Sequence, residues 1–78
     1  MSERKYKYFT ITEGSLKAAG KPVFAITNNR GAYSMGTISW YAGWKQYVFQ
    51  PHAGTDWSAD CLANIIAFLG EVNKETGK

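Results

Sequence analysis

Hydrophobic and polar positions alternate with a period of two through MGTISWYAGWKQYVFQP, residues 35–51. Gly36, Ile38 and Trp40 fall on one side of the first half. Met35, Thr37, Ser39 and Tyr41 fall on the other. The alternation resumes from Lys45 to Gln50, with Tyr47 and Phe49 opposed to Gln46, Val48 and Gln50. Aromatic and β-branched residues at this period predict two strands, with Ala42-Gly43 as the permissive point between them. A lone hairpin is marginal in water, so the remaining chain has to supply more sheet and a second layer.

Upstream, Lys5–Thr12 (KYKYFTIT) alternates in the same way and predicts another strand. Lysines on its mixed side suit a sheet edge. The stretch 13–21, EGSLKAAGK, holds Gly14 and Gly20 and reads as a loop, too short to sustain a helix alone. Its glycines and lysines lack the spacing of a phosphate-binding loop. Pro22–Thr27 is apolar on both sides and predicts a central strand, with Pro22 at its start, where a missing donor is tolerated. Asn28–Ser34 follows as a turn, with Arg30 and Tyr33 at its tip.

After Pro51 the period changes to 3.6. Leu62, Ile65, Ile66 and Leu69 recur at i, i+3, i+4 and i+7, and Cys61, Phe68 and Val72 widen the stripe. Ser58 reads as the N-cap, Asp60 meets the positive end of the helix dipole, and Trp57 with Leu62 is spaced as a hydrophobic staple. These periods predict an α+β fold: a four-stranded antiparallel sheet packed on one face by a C-terminal helix over Ser58–Asn73. Phe24 or Val23, with Ile38, Trp40, Tyr47 and Phe49, is the expected contribution of the sheet to the core.

Composition adds limits. Seventy-eight residues, 45% hydrophobic, make one domain, 1–78, with 1–4 and 75–78 expected to fray. A chain of this size buries roughly 60–65% of the surface its unfolded form exposes, so the core is thin. Three Trp, five Tyr and four Phe give such a core large buried areas per residue. The single Cys61 makes no internal disulfide, and no apolar run approaches a membrane span. The expectation is a soluble, cytoplasmic protein with no membrane partner. The net charge of +3 is uneven: residues 1–55 carry +5 and residues 56–78 carry −2.

Candidate chemistry is sparse. His52, Asp56, Asp60 and Cys61 hold metal-ligating atom types, but Asp60 belongs to an exposed first turn while Cys61 points into the apolar stripe. Cys61 on that face reads as a small hydrophobe, and Asp56 and Asp60 are explained by the helix start. No carboxylate sits in an apolar run that would tune it for proton transfer. The sequence therefore predicts no catalytic residue, no metal and no cofactor. What remains is a surplus of rings. One helix leaves a sheet face uncovered, and that face is expected to display Tyr6, Tyr8, Tyr41 and Trp44 beside Lys7, Arg30 and Lys45. Tyr, Trp and Arg in this arrangement suit a protein partner or a homodimer. The alternative is stacking of single-stranded bases with lysines meeting phosphates, although no nucleic-acid-binding motif is matched.

The run Gly36-x-Ile38-x-Trp40-Tyr41-x-x-Trp44-Lys45-x-Tyr47-Val48-Phe49-x-Pro51, followed by Ser58-x-Asp60-Cys61-Leu62 and residues 65–68, resembles small uncharacterised proteins of phages and prophages. Gly20–Phe24 fits the same pattern, so the likeness covers about residues 20–70. It implies a phage or bacterial cytoplasmic setting and a small accessory protein acting on a host or phage macromolecule. It carries no functional residue with it.

Overall fold

The computed structural model describes residues 3–31 and 33–76. Five strands, not four, form one antiparallel sheet: β1 (Glu3–Lys5), β2 (Phe9–Ala18), β3 (Lys21–Asn28), β4 (Ser34–Tyr41) and β5 (Gln46–Pro51). Each strand pairs with its chain neighbour, giving the order β1-β2-β3-β4-β5. One helix, α1 (Ala59–Thr76), follows. Of the ends expected to fray, Met1, Ser2, Gly77 and Lys78 lie outside the described residues, whereas Glu3 and Arg4 are paired in β1 and Glu75 and Thr76 belong to the helix.

The fifth strand, β1, comes from the lead-in expected to fray, and the strand expected over Lys5–Thr12 is broken between Lys5 and Phe9. The chain folds back over residues 6–8, where the Tyr6 N–H donates to the Phe9 carbonyl at 2.8 Å. Asn29, from the next turn along, holds this fold in place. Its Nδ2 donates to the carbonyls of Tyr6 (2.8 Å) and Lys7 (3.3 Å), and its backbone N–H donates to Tyr8 O at 3.0 Å. A side-chain amide thus satisfies carbonyls that an extended strand would have paired within the sheet.

The expected loop at 13–21 is also extended. β2 runs on to Ala18 and pairs with β3 through a two-residue turn in which Ala19 (φ 55°) and Gly20 (φ 80°) are both left-handed. Positive φ at both central positions marks the turn type whose twist matches a hairpin. Gly14 lies at the register shift between Glu13 and Lys17. A Cβ there would stand 3.0 Å from the Val23 carbonyl oxygen, so the glycine allows a close backbone approach rather than breaking the strand.

Register assigns the two faces. Glu13, Phe24, Ile38 and Phe49 form one cross-strand row, and Ile11, Ile26, Gly36 and Pro51 another. These rows face α1. Phe9, Ile11, Phe24, Ile26, Met35, Ile38 and Tyr47 are buried with Cys61, Ile65, Phe68 and Val72 of the helix. The expected core residues Trp40 and Phe49 pack around them half-buried, and Phe24 rather than Val23 is the β3 residue in the core. The opposite face carries the row Thr12, Ala25, Thr37 and Gln50.

Helix α1 starts as its sequence predicts. Ser58 Oγ accepts from the Cys61 N–H at 3.2 Å, and Ser58 O accepts the first helical bond from Leu62 N at 2.9 Å. Trp57 turns its ring onto the sheet, edge-on to Phe9 and Phe49 at 5.8 and 4.9 Å between centroids.

Two polar contacts flank this helix on opposite sides. Glu71 accepts from Arg4 of β1 at 2.8 Å. Asn73 meets β5: its Oδ1 accepts from the Tyr47 N–H at 2.6 Å and its Nδ2 donates to Tyr47 O at 3.3 Å. At 100° per residue the two side chains leave the helix about 160° apart. With both engaged, the buried stripe is Cys61, Ile65, Phe68 and Val72. Leu62 and Ile66, expected inside, are outside at 40% and 68% exposure.

Candidate functional site

The six residues predicted to form a binding surface occupy two ends of the sheet. In a meander, the β1–β2 and β3–β4 turns share one end and the β2–β3 and β4–β5 turns the other. Tyr6, Tyr8 and Arg30 belong to the first end; Tyr41, Trp44 and Lys45 belong to the second. Tyr6 is half-buried with its ring 5.1 Å from Phe9. Tyr8 is exposed, and Lys7 Nζ lies 5.3 Å from its ring centroid. Arg30 is exposed in a turn held by Asn28, whose Oδ1 accepts from the N–H groups of Arg30 and Gly31. Tyr41 and Trp44 stack edge-to-face at 5.1 Å over Gly43. Lys45 is exposed beside them in a left-handed conformation, φ 55°.

The structure therefore brings each trio together and does not join the two. Of the six, only Tyr41 projects from the uncovered sheet face, which also carries Thr, Ser, Gln, Ala and Val, with Glu3 and Lys5 at the β1 edge. Eight of the twelve rings join contacts in or around the core, whereas Tyr8, Tyr33, Tyr41 and Trp44 stay exposed. One chain of ring contacts runs Tyr6–Phe9–Trp57–Phe49 and a second runs Phe68–Phe24–Tyr47–Trp40. Lys21 closes the second chain, its Nζ 4.8 Å from the Trp40 centroid. Alternation alone cannot show this, because Tyr6 and Trp57 enter the core from turns.

Of the residues with metal-ligating or nucleophilic atoms, Asp56, Asp60 and Cys61 line one groove beside the helix start and His52 does not. His52 is exposed and held by its backbone, its N–H donating to Met35 O at 2.9 Å. Cys61 is buried in the core. Among the described residues no group of three His, Cys, Asp or Glu side chains could hold a metal ion. A groove of about 560 Å³ opens beside the start of α1, between Tyr8, Tyr33, Met35 and Trp57. Asp56 and Asp60 at its rim already meet the positive end of the helix dipole.

The outward side of α1 is a further apolar feature. Ala59, Leu62, Ala63, Ile66, Ala67 and Gly70 are all exposed, and the centre of that side carries no charge. A solvent-facing helix surface is ordinarily polar. The acids gather to one flank, where Glu71 is held by Arg4. This surface was missed in the sequence because Leu62 and Ile66 fit the helical period as well as the residues that are buried. The signal that separates them is polar: Asn73 bonds the Tyr47 backbone and Glu71 faces Arg4.

β5, an edge strand, is less available than its position implies. The Asn73 amide fills the place of a neighbouring strand at Tyr47, taking its N–H and its carbonyl. Such cover discourages pairing with another chain.

Compared with models of known protein families, with curated protein sequences and with solved structures, the chain finds no match in any of the three. No helix among the described residues is long and apolar enough to cross a membrane.

Proposed function

We propose that the chain is a small non-catalytic accessory protein that acts by protein–protein association, with a second copy of itself or another protein, in the phage or bacterial cytoplasmic setting its sequence pattern implies. One observation carries this reading: the uncharged outward side of α1, with Leu62 and Ile66 open to solvent. Exposed apolar side chains that are contiguous rather than scattered mark association sites. The two ring trios add accessible Tyr, Trp and Arg, residue types that dominate binding energy at interfaces.

Binding of single strands is supported less. Base stacking wants rings and cations along one track. Here the exposed rings lie at opposite ends, the sheet face between them carries, among the described residues, a single cation, Lys5, at its β1 edge, and Lys21 is engaged with Trp40.

The test is a paired measurement. Mass in solution is followed across protein concentration, and single-stranded DNA and RNA are titrated at two salt concentrations with Trp fluorescence as the readout. Self-association or capture of a defined protein partner, with no oligonucleotide response, is the expected result. A monomer that binds oligonucleotides with steep salt dependence, and loses binding in Tyr41→Ala or Lys45→Ala, overturns the reading.

A further inference from the structure

We infer that the outward side of α1 pairs with the same side of a second copy, the two helices running antiparallel about a twofold axis near Ala67. This rests on the protein-association reading above and names its partner and geometry.

Asp60, Ala67 and Lys74 recur every seven residues along one flank of the apolar strip. In an antiparallel twofold pair, a flank of one helix faces the same flank of its mate, and positions equidistant from the axis meet. With the axis at Ala67, Asp60 of each copy meets Lys74 of the other. Neither residue pairs with a charge inside its own chain among the described residues. A parallel pair would instead set this flank against the opposite one, which carries Leu62 and Leu69. The two helix dipoles also oppose head to tail.

Shape agrees with charge. Ala59, Ala63, Ala67 and Gly70 are small, which lets two backbones approach closely, and Ile66 stands among them as the projecting side chain. A Cβ on Gly70 would meet nothing within 4 Å, so that position is open for the mate. Edge-to-edge pairing is the competing route to a dimer. It is obstructed at β5 by Asn73 and offers only three residues at β1.

Area sets the strength. An 18-residue helix is about 27 Å long, and one helix against another buries less than the roughly 1,200 Å² that separates stable from transient interfaces. The pair is therefore weak and concentration-dependent, in the micromolar range or above.

The experiment is sedimentation equilibrium of the full chain, from roughly micromolar to millimolar concentration, with circular dichroism as the check on folding. The wild-type mass should rise from 8.7 kDa toward twice that value. Ile66→Asp should stay monomeric and folded. Gly70→Arg, which raises helix propensity, should also stay monomeric and serves if Ile66→Asp unfolds. Asp60→Lys and Lys74→Glu should each weaken the dimer about tenfold, and an equimolar mixture of the two should restore it, because both cross-pairs are then opposite in charge. A wild type that stays monomeric throughout overturns the inference. So does a dimer unaffected by Ile66→Asp and Gly70→Arg, or a mixture that fails to restore pairing. In the first case the broader reading still stands or falls on partner capture and oligonucleotide binding.

Discussion

Ile65 and Ile66 are adjacent, identical in side chain and opposite in environment, so truncating each to alanine isolates what the roll of α1 does. Ile65 is 2% exposed and belongs to the cluster that includes Ile26, Ile38 and Phe68. Ile65→Ala removes buried carbon and leaves a cavity that the ring contacts around it cannot fill, at a cost of about 2–5 kcal/mol. A domain of 78 residues has about 4–12 kcal/mol in total, so this is a large share. Ile66 is 68% exposed, so only about a third of its side chain leaves water on folding. That third is worth roughly 0.5–1 kcal/mol, and alanine's higher helix propensity offsets a few tenths of it. The net change for Ile66→Ala should be within about 0.5 kcal/mol. Urea unfolding of dilute protein measures both, with equal m values confirming a two-state comparison. Comparable losses for the two variants, or a larger loss for Ile66→Ala, would refute the assignment of faces and remove the proposed interface with it.

Other expectations follow from single contacts. Asn73→Ala leaves the Tyr47 N–H and carbonyl without their side-chain partner and should cost about 1–3 kcal/mol, lowering the melting temperature by several degrees or more; a melt unchanged within a degree would show that water replaces the amide freely. Burial, and then the Glu13 carboxylate, raise the Tyr47 phenol above the ordinary tyrosine value of about 10. The folded chain therefore holds that proton longer than the unfolded one. The associated stability is whole below about pH 10 and is lost as pH rises through the higher folded value. Absorbance near 295 nm should show one tyrosine titrating after the others, and five coincident titrations would contradict it. Cys61 is 6% exposed and should react slowly with thiol reagents until the protein unfolds; rapid labelling of the native state would place it outside the core.

Much of the architecture is legible in the alternation itself. Residues 35–51 form the predicted hairpin, displaced only in that Lys45 joins the turn, and the Ser58 cap opens the helix where its sequence signals it. What is not legible depends on partners distant in sequence. Tyr6 to Tyr8 alternates well enough to continue a strand, and only Asn29, more than twenty residues away, supplies the donors that let it fold back. Ala19-Gly20 lacks the usual Asn or Asp at its first position, so the hairpin signal is muted and Gly14 looks like a break rather than a site of close approach. The six proposed surface residues were chosen by type, and type does not say which rings the core absorbs. Tyr6 packs on Phe9, whereas Trp44, beside a glycine in a four-residue turn, stays out at 67% exposure. On the helix, two overlapping stripes satisfy one period. In the folded chain the buried one lies between the contacts to Arg4 and Tyr47, on opposite edges of the sheet.

The most direct test of the central claim is a dilution series followed by amide chemical shifts, from roughly millimolar to micromolar protein. The account predicts that shifts move together for Leu62, Ala63, Ile66, Ala67 and Gly70, with smaller changes at Asp60 and Lys74. Thr12, Thr37 and Trp44 should stay fixed. Movement confined to the Tyr41–Lys45 turn or the Tyr8 end, or no movement anywhere over that range, would contradict it.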